Sequence, residues 1–419
     1  MKALPDVAAL AAKDTISSSV PLKVCMHVLG RAAADARVKD ARVMREATAL
    51  VEAGFELTVV DVADDRKRCR EENIQGVRIK HIIMPSWFTP TRFKPWFLVK
   101  AVRMIMGGTI QLLSIPADIY HAHDANALPA CYIAASLRRK PLIFDSHELP
   151  FDDPSLTHWR RLSALATRIL TRMLPRCAGV ITASPLYARE IRNKYHYPEV
   201  TLVRNLPNYQ AVPRSDKLQK YLGLGPDVRI ALYQGNLQPN RSLDILAHAA
   251  PFLEPGTVII MMGRAVETTR RQLEDLIVSK GVADRVKIIP PVPYEELLNW
   301  TASADIGLTL FQPDYTHSIR FCLPNKLFEY LMAGLPVITS ALDAIAELIK
   351  TYDVGQMVSS LEPADVAAAI NSMLADRVAL ARMHHNAVEV ARGEFCWERE
   401  SLQLIGLYEK ILSGPYKLH

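Results

Sequence analysis

The chain lacks the features that mark several common protein classes. Its 419 residues contain no CxxC pair and no His/Cys cluster. This argues against a disulfide framework or a structural zinc and favours a reducing cytoplasm. The six cysteines are scattered: Cys25, Cys69, Cys131, Cys177, Cys322 and Cys396. The apolar run near the N-terminus contains Asp6, Lys13 and Asp14, so we do not expect a secretory signal.

Long uncharged apolar runs are also missing. The best candidate, residues 96–115, contains Lys100, Arg103 and two glycines. Each of these charges would cost about 2.5–3.5 kcal/mol near the centre of a spanning helix. We therefore expect no transmembrane segment.

The charge is close to balanced, with 50 Lys and Arg against 44 Asp and Glu and a formal net charge of +6. So small an excess fits a protein that handles an anionic small molecule or touches an anionic membrane. It is too weak to indicate nucleic-acid binding. Hydrophobic residues make up 49% of the chain and charged residues 22%, which is typical of a globular protein.

Short continuous apolar runs alternate with amphipathic helical patterns along the chain. Such runs are typical of parallel strands that are buried on both faces. A first array has runs at residues 22–28, 55–62, 118–121, 141–144, 179–183 and 200–203, and a second array has runs at residues 228–233, 257–261, 286–289, 306–310 and 336–339.

A polar stretch with several prolines, residues 204–226, separates the two arrays and is predicted to be a linker. We therefore predict an α/β fold of two Rossmann-like domains that face a central cleft. The predicted parts are a lead-in at residues 1–21, a first domain at 22–205, a second domain at 206–395, and a C-terminal helix within 396–419 that packs back on the first domain.

The segment CLPNKLFEYLMAGLPVIT, residues 322–339, is the most informative. Pro324 suits the first turn of a helix and Gly334 suits the residue after its end, which predicts a helix of about ten residues. Lys326 lies in the first turn, where a cation is unfavourable unless an anion binds there. A phosphate would resolve this conflict, with Glu329 one turn further to accept hydrogen bonds from ribose hydroxyls. The alternative is a solvated Lys–Glu pair.

A second segment, YQGNLQPNRSL at residues 233–243, links the first strand of the second domain to a helix. Gly235 opens this loop at the carboxyl edge of the sheet, where α/β proteins bind ligands. Arg241, at the start of the helix, is placed to clamp a diphosphate with two hydrogen bonds. The alternative is a tight turn with a surface arginine.

Polar clusters also follow strands of the first domain. Gly30 ends the first strand and allows close approach of a ligand, but no GxGxxG fingerprint follows. His121, His123 and Asp124 end a second strand and His147 ends a third, which indicates a polar site; for His121 a structural role is the alternative. Metal binding is the other alternative. Because alternate residues of a strand point to opposite sides, Asp124 would point away from both histidines, and we expect no metal site.

Four motifs together resemble the retaining glycosyltransferases of family four, of GT-B architecture and of the bacterial polysaccharide or envelope type. They are PNKLFEYLMAGLPVIT, YQGNLQPNR, HAHDANALP with FDSHE, and DARV at residues 40–43. The likeness extends from about residue 22 to the final helix. It implies metal-independent transfer of a sugar from a nucleotide-sugar donor, UDP- or GDP-linked, with retained configuration and no cofactor.

The resemblance also implies roles for single residues. Glu329 matches the glutamate that holds the donor ribose, and Arg241 falls where the family usually has a lysine on the diphosphate. Asn236 falls where a partner arginine is usual. His147 matches a histidine that lies against the transferred sugar and steadies its developing positive character. Val292 lies in the loop whose backbone meets the nucleobase.

This sequence departs from the family pattern at three places. Phe321 replaces a second glutamate that contacts the donor sugar, and Asn236 replaces the usual arginine. Gly30 and Arg31 stand where a Gly-Gly pair is usual. Arg31 and Lys326 are candidates for the missing positive charge.

Three groups of site residues follow from these readings. The catalytic candidates, which stabilise the leaving diphosphate or contact the sugar, are Arg241, Lys326 and His147. The donor-binding candidates are Glu329, Asn325, Asn236, Gly235, Gly30 and Val292. The candidates for contacts with the acceptor or the sugar are Arg31, His123, Asp124, Asp314 and His317.

Two stretches interleave aromatic or leucine residues with basic ones, residues 86–103 and 158–176. Such patterns suit an interface with anionic lipid, and solvated arginines on core-facing helices are the alternative. The membrane interpretation favours a lipid-linked glycan acceptor over a soluble glycan, and a cytoplasmic protein that is peripheral on the inner face of the membrane.

Two other functions share this architecture. A nucleotide-sugar 2-epimerase would need carboxylates around the sugar, which Phe321 makes less favourable. A non-catalytic GT-B subunit that stabilises a partner enzyme fits the substitutions at Phe321 and Asn236.

Overall fold

A computed structural model describes residues 21–29, 41–63, 71–83, 94–150, 160–312 and 316–414 of the chain. The chain divides into two units, one formed by Met1–Arg204 with Ser401–His419 and the other by Asn205–Glu400. The predicted lead-in, apart from its last residue, lies outside the described residues.

The first unit is built on one eight-stranded sheet of order β3-β4-β2-β1-β5-β6-β7-β8. All neighbouring strands pair in parallel except β3 and β4, which are antiparallel. The strands are Lys23–Val28 (β1), Glu56–Ala63 (β2), Glu71–Ile74 (β3), Val77–Ile83 (β4), Ile119–His123 (β5), Leu142–Ser146 (β6), Gly179–Thr182 (β7) and Val200–Leu202 (β8). Every residue of β5 and β6 is buried, as expected for central strands covered on both faces.

Helices connect most of these parallel strands. They are Ala41–Glu52 (α1), Lys94–Leu113 (α2), Asp124–Arg138 (α3), Arg160–Met173 (α4) and Pro185–Tyr195 (α5). Because crossovers between parallel strands are right-handed, the strand order places α2, α3 and α4 on one face of the sheet and α1 on the other.

The second unit has a six-stranded parallel sheet of order β11-β10-β9-β12-β13-β14. Its strands are Arg229–Gln234 (β9), Thr257–Met262 (β10), Val286–Ile289 (β11), Ile306–Thr309 (β12), Val337–Thr339 (β13) and Gly355–Met357 (β14). Its helices are Lys217–Leu222 (α6), Leu243–Ala249 (α7), Glu267–Ser279 (α8), Tyr294–Thr301 (α9), His317–Arg320 (α10), Asn325–Met332 (α11), Asp343–Tyr352 (α12), Pro363–Ala375 (α13) and Arg377–Gly393 (α14). The mainly parallel first sheet and the parallel second sheet, each with its connecting helices, confirm the predicted α/β fold class.

The last helix, Trp397–Ser413 (α15), starts in the second unit and ends in the first. In the first unit, the Tyr408 hydroxyl lies 2.8 Å from Nδ1 of His121. The ring centroid of Tyr408 is also 5.4 Å from that of Phe55. A Cβ at Gly179 would lie only 3.0 Å from Leu407, so α15 packs closely on the β7 strand.

Tyr330 of α11 fixes that helix against the centre of the second sheet. Its hydroxyl accepts a hydrogen bond from Gln234 N at 2.9 Å and lies 3.0 Å from Leu232 O and 3.2 Å from Leu308 O. Its ring lies on Gly307, where any Cβ would come within 2.5 Å of the ring atoms. The first residues of α11 are thereby held beside the carboxyl end of β9.

Among the described residues, no helix combines the length and the apolar character needed to cross a membrane.

Replacing Tyr330 with Phe tests this anchoring. The variant leaves the buried Gln234 N–H without its acceptor, so we expect the free energy of unfolding to fall by about 1–3 kcal/mol. Urea unfolding followed by circular dichroism measures the change. Tyr221→Phe is the control, because Tyr221 is 55% exposed; equal stability of the two variants would show that the Tyr330 hydroxyl does not anchor α11.

Candidate functional site

Two glycine loops meet at the carboxyl edge of the second sheet. Gly235 follows β9 with φ +123° and Gly263 follows β10 with φ +158°. A Cβ at Gly263 would lie 1.8 Å from the carbonyl oxygen of Gly235, so no other residue fits there. Gly235 N donates to Met262 O at 3.0 Å. The predicted loop at Gly235 thus packs against a second tight loop. Because Gly235 has no side chain, its backbone is accessible on the side that faces Lys326.

Lys326 projects from the first turn of α11 over this loop. A Cβ at Gly235 would lie 3.7 Å from Lys326 Nζ. The Nζ atom lies 3.6 Å from the ring centroid of Tyr233 and 5.5 Å from that of Phe311. It is inaccessible to solvent and has no hydrogen-bond partner within the part of the chain that the structure describes. The alternative of a solvated Lys–Glu pair is therefore wrong.

The helix that carries Lys326 is shorter than predicted. It covers the eight residues Asn325–Met332, and Pro324 is its N-cap with extended backbone, not a residue of its first turn. Gly334 has φ +75°, as expected for the residue that follows a helix end.

Arg241 brings a second positive charge to the same place. It ends the 3-10 turn Pro239–Arg241, and its Cζ lies 4.7 Å from the ring centroid of Phe311. Burial lowers the pKa of Lys326 well below its ordinary value, and the neighbouring charge of Arg241 lowers it further. Two cations around one aromatic ring, one of them without a hydrogen-bond acceptor, form a site that an anion would stabilise.

Glu329 lies one turn beyond Lys326. Its Oε2 accepts a hydrogen bond from Gln234 Nε2 at 2.6 Å, and Gln234 Oε1 accepts one from Thr301 Oγ1 at 2.7 Å. Because Thr301 Oγ1 also lies 2.8 Å from Leu297 O, α9 contributes to the support of Glu329. Gln234 is not among the predicted site residues, although an amide that ends a buried strand at the ligand-binding edge is a signal for it.

The other predicted site residues of the second unit differ in their exposure to solvent. Asn236 and Asn325 are exposed, and Asn236 O accepts a hydrogen bond from Tyr233 OH at 3.0 Å. Val292 is half-buried in the loop after β11. His317 is exposed at the start of α10, and its ring centroid lies 5.9 Å from that of Phe321.

In the first unit, Asp145 is the centre of a buried charge network. Its two oxygens accept hydrogen bonds from Arg42 Nε and Nη2, each at 2.8 Å. His147 Nε2 lies 3.1 Å and His123 Nδ1 lies 3.3 Å from Asp145 Oδ2. Burial alone would raise the pKa of Asp145, but Arg42 and His147 hold it well below its ordinary value. The carboxylate is therefore ionised and orients both rings.

His147 is held in its charged form by this network. Burial alone would lower the pKa of His147, but the carboxylates of Asp145 and Asp124 raise it to about 9. The side chain of His147 is 17% exposed, whereas Asp145 is completely buried. His147 is thus the member of the network that reaches solvent, as the sequence analysis expects of a substrate contact.

Asp124 holds the other side of His147. Its Oδ1 accepts a hydrogen bond from His147 N at 3.1 Å, and its Oδ2 lies 3.4 Å from His147 Nδ1. Asp124 has φ +64°, which is costly for a residue other than glycine. The carboxylate thus faces His147. The possible metal ligands that lie near His121 and His123 are Glu46 and Asp145, not Asp124.

His121 and His123 are both fully buried, with stacked rings whose centroids lie 4.4 Å apart. His121 pairs with Tyr408 and is structural. His123 lies 3.2 Å from His147 through its Nδ1. The prediction of direct contact between His123 and substrate requires a correction, because its side chain has no exposed surface; it contacts His147 instead.

The same cluster contains four residues whose ligand types suit a metal. One ligand atom each from Glu46, His121, His123 and Asp145 lies within 4.8 Å of the others. Arg42 already supplies a positive charge here, to Asp145 and, at 3.0 Å, to Glu46 Oε1. Burial and Asp145 raise the pKa of Glu46 to about 8 although Arg42 lowers it. A divalent ion would have to compete with this guanidinium, so the geometry favours a charge network.

Arg42 is the main functional residue that the sequence analysis missed, because it lies 103 residues from its partner Asp145. Its only sequence signal was the DARV motif. Gly30, Arg31 and Asp314 lie outside the described residues.

Two family models match this chain. Residues 41–206 match the model described as Glycosyltransferase Family 4, and residues 228–376 match the model described as Glycosyl transferases group 1. The first match lies in the unit that contains His147 and the second in the unit that contains Lys326.

Curated relatives match part of the chain. A D-inositol 3-phosphate glycosyltransferase of Thermobispora bispora is 27% identical over 245 residues, which are 55% of this chain and 55% of that protein. The protein of the same description from Geodermatophilus obscurus is 30% identical over 224 residues, covering 50% of this chain and 46% of that protein. The chain thus matches about half the length of these relatives.

Solved structures resemble the whole chain. Sucrose-phosphate synthase from Thermosynechococcus elongatus has a TM-score of 0.77 at 18% identity, covering 94% of this chain and 99% of that one. Anabaena Alr3699/HepE, solved in complex with UDP and glucose, has a TM-score of 0.69 at 17% identity and covers 93% and 99%. At such identities these likenesses establish the fold alone.

We expect His147 to titrate with a midpoint near 9, above the ordinary value of 6.5. Because its folded-state pKa is raised, the stability it contributes is complete below about pH 6.5 and is lost as the pH rises through about 9, by about 3 kcal/mol at most. Histidine ¹⁵N NMR measures the midpoint, and the signal missing in His147→Gln assigns it. A midpoint at or below 6.5 would show that the carboxylates of Asp145 and Asp124 do not hold His147 in its charged form.

Proposed function

Because the chain belongs to the family-4-type glycosyltransferases of the GT-B fold, we propose that it transfers a sugar from a nucleotide-sugar donor. The acceptor is a glycan or a lipid-linked glycan, the anomeric configuration is retained, and no metal or cofactor takes part. The observation that carries the proposal is the buried amino group of Lys326 beside Arg241, which lacks a hydrogen-bond acceptor among the described residues.

The diphosphate of the donor is the anion that this site takes. As the bond between the sugar and the diphosphate breaks, negative charge grows on the leaving group. Cations that are already in place stabilise that charge without reorganisation, and their effect is larger in a site that excludes water. Arg241 and Lys326 supply the charge, and Gly235 lets the phosphate oxygens approach the backbone. The acceptor proton passes to a phosphate oxygen, so no protein nucleophile is needed.

Glu329 binds the ribose of the donor. Gln234 occupies one carboxylate oxygen at 2.6 Å and so fixes the direction in which the other faces. A carboxylate fixed in this way accepts hydrogen bonds from two neighbouring hydroxyls with little loss of side-chain entropy. Val292 in the loop after β11 supplies backbone groups for the nucleobase.

His147 contacts the transferred sugar. Its positive charge at neutral pH suits it to donate a hydrogen bond to a sugar hydroxyl and does not suit it to stabilise positive charge on the sugar, which the sequence analysis had expected. Asp124 Oδ2, 3.4 Å from Nδ1 of His147 and on a side chain that is 45% exposed, is the partner that a hydroxyl would displace.

The donor base that we propose is uridine. A protein of the same fold was solved in complex with UDP and with UDP-glucose, and GDP is the alternative from the sequence. For the acceptor, a lipid-linked glycan is favoured by the basic and apolar stretches of the first unit, which would place the protein peripherally on the inner face of the membrane.

Removing either cation should slow transfer. We expect Lys326→Met and Arg241→Met each to lower turnover by about 10²-fold or more, since each removes a charge that is already in place for the leaving group. Release of nucleoside diphosphate in the presence of acceptor measures the rate. Lys350→Met and Arg377→Met are the controls, because both residues are exposed helix positions of the same unit.

Three outcomes would contradict the proposal. A rate within a few-fold of the parent would remove that cation from the leaving-group role. Isomerised donor without transfer would indicate an epimerase. Donor binding without turnover over a broad acceptor panel would indicate a non-catalytic subunit.

A further inference from the structure

The outer side of helix α2 carries an exposed apolar stripe. Val99, Val102, Met106 and Ile110 are 47%, 53%, 58% and 66% exposed. Their spacing of three or four residues places them on one side of the helix, over a length of about 16 Å. The opposite side of α2 is already used in packing, since Gly108 and Leu112 are buried. A helix at the surface of a globular protein normally turns a polar side to water, so this stripe needs an explanation.

The two neighbouring helices extend the stripe. Ile133 and Leu137 of α3 and Leu165 and Ile169 of α4 are also exposed. Helix α2 packs directly on α3, where a Cβ at Gly108 would lie 3.2 Å from Ala130 Cβ. Arg176, just after α4, donates to Tyr132 OH of α3 at 2.9 Å. The three helices therefore present their exposed apolar residues on the same face of the first unit.

The charge of this face has one sign. The sequences of α2 and α4 contain no Asp or Glu, and α3 contains only Asp124, its first residue. Exposed arginines lie among the apolar residues, namely Arg103, Arg138, Arg168 and Arg172. The whole chain has 44 acidic residues against 50 basic ones, so the absence of acidic residues is a property of this face and not of the composition.

We propose that the apolar–basic face, formed by the exposed residues of α2, α3 and α4 named above, lies on an anionic lipid bilayer. The apolar side chains enter the boundary between headgroups and acyl chains, and the arginines remain at the level of the lipid phosphates. The sequence analysis located membrane contact in residues 86–103 and 158–176, of which residues 86–93 and 158–159 lie outside the described residues; the stripe on α2 beyond Arg103 and the contribution of α3 are new.

Charge decides between a bilayer and a second copy of the chain. In a two-fold dimer through this face, each arginine cluster would meet the same cluster of the partner, and like charges at an interface oppose association. An anionic bilayer offers the opposite charge and an apolar layer at once. No described helix is long and apolar enough to span the bilayer, which leaves a position parallel to its surface.

This inference rests on the proposed function in one respect only, namely that membrane binding brings the enzyme to a lipid-linked acceptor. Its test is independent of catalysis. The full chain is sedimented with vesicles of phosphatidylcholine, with and without phosphatidylglycerol, at low and at high salt. We expect binding to the anionic vesicles that weakens about tenfold or more in high salt.

Two double variants locate the surface. Met106→Ser with Ile110→Ser removes apolar area, and Arg168→Gln with Arg172→Gln removes charge; each should weaken vesicle binding about tenfold or more. The matched controls lie in the second unit: Val278→Ser with Val378→Ser, at sites that are 72% and 79% exposed, and Lys350→Gln with Arg377→Gln. These controls should bind like the parent, and circular dichroism checks that all four variants fold.

Absence of vesicle binding, equal binding to neutral vesicles, or unchanged binding by both double variants would overturn the inference. Binding to a soluble polyanion such as heparin but not to vesicles would also overturn it and would indicate a macromolecular polyanion. Calorimetry with UDP separates this question from the proposed function. If the chain binds UDP but not vesicles, only the membrane inference is contradicted. If it binds vesicles but not UDP, only the proposed nucleotide site is contradicted.

Discussion

The second unit contains one electrostatic conflict: the amino group of Lys326 is buried beside a second cation, and no acceptor among the described residues satisfies it. Lys326 Nζ lies on the face of Tyr233 and beside Arg241, away from solvent. An aromatic face offsets part of the cost of burying a cation, but a second cation nearby increases that cost. Folding maintains this arrangement because the hydroxyl of Tyr330 fixes α11 to β9 and β12. A bound diphosphate would supply both the missing acceptor and the opposite charge.

In the first unit, by contrast, the buried charges are paired with one another. Arg42, Asp145 and His147 carry charges of both signs that are paired within hydrogen-bond distance. These three charges are paired with one another, so their effect is to hold His147 charged and in one orientation. The second unit, by contrast, presents charge that is incomplete. A transferase needs both kinds of group, since the leaving group changes its charge during the reaction while the transferred sugar must be held in place.

Secondary structure, which follows from patterns among neighbouring residues, could be predicted from the sequence. Contacts between residues that are far apart in the chain could not. The strand at 286–289 was predicted with its observed bounds, because continuous apolar runs define buried parallel strands. Strand β3 was missed because its sequence EENI is polar and alternates in exposure at the edge of the sheet. The pair Lys326 and Glu329 was recognised from helical spacing. The burial of Lys326 was not predicted, because Tyr233 lies in β9 and Phe311 follows β12, and both are distant from Lys326 in sequence. The partnership of Arg42 with Asp145 likewise needs the fold.

Proton uptake on nucleotide binding tests the central claim most directly. Burial and Arg241 lower the pKa of Lys326 in the free protein, and a bound diphosphate must raise it again. Calorimetric titration with UDP at about pH 8.5, in buffers of different ionisation enthalpy, therefore should show protons taken up on binding, and the affinity should fall as the pH rises. Lys326→Met should bind UDP more weakly and with no proton uptake attributable to this site. Tight binding to the parent with the same proton balance as in Lys326→Met would contradict the account.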